Sequence, residues 1–320
     1  MLSKNRTLVL GIILVVVLII YFALQNREHE ENFRTKLPAI DTATVDHIVI
    51  RPAGGETPIS FVKEDGQWMI TDKDREYAAN KNQLNSLMLG LNGAEVIRVA
   101  ATSPEKWKDF KTTKDLGTEI EFKQSGKDAA DILIGKFDYI PSKNQNPYNQ
   151  YGQQGEMLSY VRVNDEDGVY AIEGSIALGL GKTADDFRNK QLLHLDKKAI
   201  SKLQFSYTDG DNFSLSKKDN KWTFDDGTMA DSATMVGYLN SLRYLNGRKL
   251  AKEDPEGKPV CASLTIISDQ EDTVRLTAYQ VDTAECVVRS SYNPTNPVRD
   301  EQNKIKERAF VSRDYLMGKK

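Results

Sequence analysis

The residues whose types and spacing come nearest to a reaction are Gly179-Leu180-Gly181-Lys182-Thr183, which end in the Gly-Lys-Thr of a phosphate-binding loop. Such a loop cradles phosphate oxygens with successive backbone N–H groups and needs a glycine five positions before Gly181. Ile176 stands there, and the stretch leaves a short helix rather than a strand, so it reads as a glycine-rich helix end. Asp165-Glu166-Asp167-Gly168 opens like a calcium loop, lacks the glutamate and spacing that close one, and reads as a solvated hairpin turn. His29, His47 and His194 lie far apart, and none has a metal-type partner at i+4. There is no Gly-x-Ser-x-Gly elbow, and neither Cys261 nor Cys286 has the local glycine or histidine of a nucleophile. Carboxylates are plentiful, but abundance alone does not place two of them across a scissile bond. No catalytic, cofactor-binding or metal-binding residue is therefore assigned, and no cofactor is expected.

Two cysteines are too few for a disulfide scaffold and stand at no metal-ligand spacing. If 260–267, 273–280 and 285–291 form a meander, Cys261, Tyr279 and Cys286 fall at one level on three successive strands. That separates the cysteines by two strand spacings of about 4.8 Å, beyond the ~7 Å Cα limit of a bridge. Two free thiols are expected. The remaining candidates are aromatic. Tyr139, Tyr148 and Tyr151 lie among Asn, Gln and Pro between Asp138 and Leu158, and Tyr292 lies with Pro294 and Pro297 between Ser290 and Glu307. Amides between tyrosines suit contact with a partner, an envelope polysaccharide or a peptide; the plainer reading is two hairpin tips with no ligand.

The elements that must position these side chains come twice. Trp68 to Gly93 and Trp222 to Gly247 each run from a tryptophan strand through an amphipathic helix to Leu-Asn-Gly. Asp65-Gly66 and Asp219-Asn220 are two-residue turns leading into the tryptophan strands. Asn80 and Asp231 are N-caps, with Gln83 three residues after the first. Leu84, Leu87, Met88 and Leu91 recur at helical spacing, as do Met235, Tyr238, Leu239, Leu242 and Leu245, so each helix commits one face to packing. Strands follow at 119–123, 131–137, 158–163 and 169–172, and again at 260–267, 273–280, 285–291 and 308–313.

Ahead of both copies, Thr7 to Asn26 carry no charge, and Leu8 to Leu24 is nearly unbroken apolar sequence. At 1.5 Å per residue this spans about 30 Å, the thickness of a bilayer core. The apolar run exceeds that of a signal peptide, and Tyr21-Phe22-Ala23-Leu24-Gln25 lacks a small-x-small cleavage pattern, so an uncleaved anchor is expected. Lys4 and Arg6 precede it and Arg27, Arg34 and Lys36 follow, a near tie in cations, but the six-residue tail is short and long C-terminal domains translocate largely regardless of charge, so the N-terminus is expected in the cytoplasm and the bulk in the periplasm. The 320 residues carry a formal net charge of -3 with both signs interspersed, which leaves no basic footprint for nucleic acid. With 39% hydrophobic and 28% charged residues the chain can bury a core.

The expected fold class is α+β: an N-terminal transmembrane helix followed by two duplicated domains, each an antiparallel sheet with one packed helix. The expected boundaries are 1–26 for the cytoplasmic tail and transmembrane helix, 27–43 for a stalk, 44–180 for the first repeat, 181–199 for a connector and 200–320 for the second repeat. Asp186-Phe187-Arg188-Asn189-Lys190-Gln191-Leu192-Leu193, followed by Leu195-Asp196, resembles the domain of unknown function 4340 family. Val45 to Ile50, Gly66-Gln67-Trp68, Ile134-Gly135-Lys136 and Tyr170-Ala171-Ile172 add to the resemblance, which covers most of 44–250. It implies a membrane-anchored bacterial protein of the inner membrane, often beside ABC-type transport or gliding-related components, and it brings no activity. The expectation is a non-enzymatic accessory or scaffold of a membrane complex. The alternative is a binding module for envelope polysaccharide or peptide, and an enzyme comes third.

Overall fold

The computed structural model describes residues 33–54, 57–72, 75–141, 155–164, 166–210, 212–269, 273–282 and 285–319. The first half holds strands β1 (His47–Arg51), β2 (Ile59–Glu64), β3 (Gln67–Asp72) and β4 (Arg75–Ala78), then helix α1 (Lys81–Leu91). It continues with β5 (Val96–Ala101), β6 (Thr118–Gln124), β7 (Lys127–Ile140), β8 (Glu156–Val163) and β9 (Val169–Glu173). Two one-turn helices, α2 (Ile176–Gly179) and α3 (Ala184–Phe187), lead to β10 (Gln191–His194). The second half holds β11 (Ile200–Tyr207), β12 (Phe213–Lys218), β13 (Lys221–Phe224), helix α4 (Ser232–Leu242), β14 (Tyr244–Asn246) and β15 (Lys249–Leu250). It closes with β16 (Val260–Ser268), β17 (Val274–Gln280), β18 (Cys286–Ser290), β19 (Asn293–Asp300), and helices α5 (Lys304–Ala309) and α6 (Arg313–Leu316).

The strands form three sheets. The larger two run β4-β3-β2-β1-β6-β7-β8-β9-β5 and β13-β12-β11-β16-β17-β18-β19-β15, which is one order used twice apart from the extra edge strand β4. β10 and β14 make a small third sheet. The tight turns at Asp65-Gly66 and Asp219-Asn220 hold both residues at positive φ, the twist that lets a two-residue hairpin close without splaying its strands. Asn80 Oδ1 accepts from Gln83 N, and Asp231 Oδ1 accepts from Thr234 N, so each long helix starts on its cap. Each lays its apolar stripe on one face of its sheet, giving one core around Leu84, Met88, Ile50 and Phe122 and another around Met235, Tyr238, Leu203 and Leu264.

The expectation of an α+β fold behind an N-terminal transmembrane helix is corrected. Antiparallel strand dominates, spread over three sheets rather than two, and the longest described helices have 11 residues. Alternating burial along most strands commits the chain to sheet, and one short helix suffices to cover one apolar face. No helix among the described residues is long and apolar enough to cross a membrane. The span expected within 1–26 lies outside the described residues. The second sheet is covered by α5 and α6 as well as α4, with Tyr238 Oη donating to the Ala309 carbonyl at 2.7 Å.

Two further segments differ from their sequence reading. Within the stretch 27–43, read as a stalk, Leu37 and Ile40 are buried in the first core, Leu37 N donates to Ala94 O, and Ile40 N donates to Asn92 Oδ1. The stretch Ser290 to Glu307, read as a long hairpin loop, is a tight turn followed by β19 and the start of α5, and 308–313, read as a strand, lies across the ends of α5 and α6. Proline removes one ladder donor but leaves its carbonyl free, and Pro297 O accepts from Ala251 N at 2.9 Å.

Candidate partner-binding cleft between the sheets

One segment joins the two cores. α3 buries Phe187 in the first, edge to face with Phe61 at 5.2 Å, and β10 buries Leu192 and Leu193 in the second. Arg188, between them, is only 6% exposed, so its charge requires partners. Its Nε donates to Asn296 Oδ1 at 2.7 Å, its Nη1 donates to Asp185 Oδ1 at 2.9 Å, and its guanidinium carbon lies 3.6 Å from the centroid of the Tyr77 ring. Asn296, fully buried, donates through Nδ2 to the Ala78 carbonyl at 2.8 Å, and Ala78 N donates to Thr295 Oγ1 at 3.1 Å. Asn293 Nδ2 donates to the carbonyls of Asn189 and Gln191 at 2.8 and 3.1 Å. The edge strand of the first sheet is thus tied to the β18–β19 hairpin of the second by side-chain amides rather than by a backbone ladder.

Beside this joint opens a cleft of about 520 Å³. One wall carries Trp68, Asn80 and Asn82 from β3 and the start of α1; the other carries Gln191, His194 and Tyr292 from β10 and the β18–β19 turn. The His194 ring rests against Tyr244 with centroids 4.8 Å apart. Asp, Glu and Cys are absent from the lining. Amide donors and acceptors around an exposed aromatic ring can hold an extended peptide backbone or the hydroxyls of a sugar, whereas acid–base cleavage of a glycoside needs paired carboxylates.

Of the tyrosines singled out by sequence, Tyr292 is 43% exposed and lines the cleft. Tyr139 lies at the outer end of β7, paired with Met157, and its hydroxyl accepts from Gly155 N at 3.1 Å; it is not part of the cleft lining. Tyr148 and Tyr151 lie outside the described residues. Sequence reasoning passed over Arg188, Asn293 and Asn296. The only signal for Arg188 is its place between Phe187 and Leu192, and nothing local marks the two asparagines.

Residues 150–260 match the family model described as a domain of unknown function, DUF4340. That stretch, 111 of the 320 residues, resembles the DUF4340 family. It runs from just before β8 through the joint to the start of β16, and it contains the Asp186–Leu193 segment that carries the resemblance. The 150–260 stretch therefore supplies the β10 part of one wall of the cleft and Arg188 of the joint, while the β3–β4 wall and the β18–β19 turn lie outside it. No curated protein and no solved structure matches the chain.

Three other groups of reactive side chains can be placed around the DUF4340 stretch. The backbone N–H groups of Lys182 and Thr183, which a phosphate-binding loop would offer to its ligand, both donate to Asp186 Oδ2, at 2.9 and 3.0 Å. Burial would raise the Asp186 carboxyl, but these donors outweigh it and hold the group below the usual carboxylate range. Cys261 and Cys286 are unbridged and stand on strands two apart, with β17 between them. Their sulfurs nevertheless approach to 3.8 Å, because Cys261 sits at a register shift and its Sγ reaches over β17 toward the Ala278 carbonyl at 3.3 Å. The two free thiols expected are found, although their sulfurs come closer than two strand spacings would put them. Burial first, and then the Cys261 sulfur, push the Cys286 thiol up to about 11. On the outer face of the first sheet, Asp131 pairs across the ladder with Glu121 beside Glu119, Arg51 and Lys114. Burial first, then Glu119 and Glu121, push Asp131 up to about 6. Among the described residues no group of three or more His, Cys, Asp or Glu could hold a metal ion.

Proposed function

We propose that this chain is a non-enzymatic extracytoplasmic accessory or scaffold protein that holds an extended segment of a membrane-complex protein in the cleft between its two large sheets. The observation that carries this reading is the amide-rich, carboxylate-free lining of the cleft beside a joint whose polar groups are satisfied internally. An extended peptide exposes a backbone donor and acceptor at every residue, and amide side chains answer both without a charge of their own. The uncharged stretch Thr7 to Asn26 supports an address beyond the cytoplasm. The family resemblance implies an ABC-type transport or gliding-related complex as the partner.

A second reading, a module for envelope polysaccharide, is favoured by the exposed Tyr292 ring among amides, since sugars stack on aromatic faces and hydrogen-bond to side-chain amides. One experiment separates the two. A photo-reactive residue at Asn82 is crosslinked in whole cells, the products are identified by mass spectrometry, and Asp219 on the far hairpin serves as the control position. The scaffold reading expects a membrane-complex protein crosslinked from Asn82, not from Asp219, and lost with Tyr292→Ala. Adducts of polysaccharide alone favour the second reading, and recovery of the chain by itself from both positions overturns the first.

A further inference from the structure

The cross-strand pair Lys63 and Trp68 beside the cleft has a counterpart in the second half, Lys217 and Trp222. In the first half the tryptophan end of the sheet faces the second half across the cleft. In the second half the corresponding end is a notch of about 210 Å³ whose lining all comes from residues 197–239, with walls that include Lys197, Lys198, Lys217, Trp222, Met235 and Val236. The differences between the copies fall at this notch. Following the β1 and β11 registers, Thr42 and Ala43 of the first copy stand where the second has Lys197 and Lys198. Counting from the helix caps, polar Asn85 stands where the second has Val236.

No carboxylate lines the notch. Lys197 Nζ donates to Asn240 Oδ1 at 2.6 Å and Lys217 Nζ to the Lys198 carbonyl at 3.1 Å, so both ammonium groups rest on neutral acceptors. Among the described residues none of the three lysines forms an ion pair. Asp231 accepts from Thr234 N and Oγ1 at the start of α4, Asp196 Oδ1 accepts from Lys198 N, and Asp219, two residues from Lys217, is not part of the lining. Beneath the lysines the walls are apolar. Trp222 and Met235 are buried, while Val236 stands 58% exposed at the rim. Three cations held together repel one another, an anion relieves that repulsion, and hydrocarbon attached to the anion would cover Val236 and the Trp222 edge.

We propose that this notch binds a small anionic amphiphile, its acid group on Lys197, Lys198 and Lys217 and its first carbons against Trp222 and Val236. The volume is about seven times the liquid share of one water molecule, room for the acid and a few carbons, with any longer tail running out past Val236. A free carboxylic acid and an anionic lipid headgroup share this chemistry. The test is calorimetric titration of the full chain with octanoate and with octanol, beside flotation with phosphatidylglycerol and phosphatidylcholine vesicles. Octanoate is expected to bind at least about tenfold more tightly than octanol, and a Lys197→Gln/Lys217→Gln variant to lose about tenfold for octanoate with octanol unchanged, the scale of one lost charge-assisted hydrogen bond. Val236→Asp, on the exposed rim and clear of the lysine packing, is expected to abolish octanoate binding at an unchanged unfolding midpoint. Flotation with phosphatidylglycerol that both variants abolish assigns the ligand to a lipid headgroup, and octanoate binding without flotation assigns it to a free acid. Equal affinity for octanoate and octanol, octanoate affinity untouched by both variants, or absence of binding to octanoate and vesicles alike overturns the proposal.

Discussion

Replacing Arg188 with alanine tests whether the joint is what holds the two halves in register. Four interactions disappear together: the buried bond to Asn296, a longer one to the Thr295 carbonyl at 3.4 Å, the stack on Tyr77, and the ion pair with Asp185. A hydrogen bond from a charged donor to a buried acceptor is worth about 1.5–3 kcal/mol, and a desolvated cation–π stack about 1–2 kcal/mol. The Asp185 pair adds little, because that carboxylate side chain is 63% exposed. Against these, the variant no longer buries a guanidinium, an offset of a few kcal/mol. The net loss is about 1–2 kcal/mol, ordinary for a substitution that breaks one buried polar contact network. Arg188→Lys keeps the charge but not the planar fork and should lose about half of that. Urea unfolding followed in parallel by tryptophan fluorescence and far-ultraviolet circular dichroism measures it. Because each half has its own core, loss of the joint should also separate the two probes, which coincide in the parent if the halves unfold as one. A variant within about 0.5 kcal/mol of the parent, with the probes still coincident, would refute the assignment of Arg188 to the joint.

Two further outcomes follow from shifted titrations. The Asp131 carboxyl is raised from 3.8 to about 6, so the folded state binds its proton more tightly than the unfolded chain; the stability this brings is present below pH 4 and is lost as pH rises through 6. Asp131→Asn should therefore be the more stable protein at pH 7 by about 1 kcal/mol, after discounting for the solvent that reaches the group, and about equal to the parent at pH 4. Unfolding midpoints that differ by the same amount at both pH values count against it. Both cysteines should alkylate fully in denaturant without reductant, and Cys286 should resist alkylation in the native protein at pH 8 because its thiol is buried and held up to about 11. A requirement for reductant, read by intact mass, would mean that the strands move enough to bridge two sulfurs now 3.8 Å apart.

What the sequence by itself determined is what depends on near neighbours. Asp65-Gly66 must turn because few other pairs accept two positive φ values, Asn80 and Asp231 must start helices because their oxygens reach the amides three residues on, and the i, i+3, i+4, i+7 spacing must put Leu84 to Leu91 on one face. Pattern at this range also exposed the second copy. Only the tertiary structure decided which distant groups meet. Asn296 satisfies Ala78 and Arg188 across the joint, Leu37 and Ile40 fold back into the first core, the Cys261 sulfur crosses a whole strand, and Tyr292 rather than Tyr139 faces the cleft. Each of these rests on sheet register, where a shift of one residue turns every side chain to the opposite face, and register is set by the whole ladder rather than by any window of neighbouring residues.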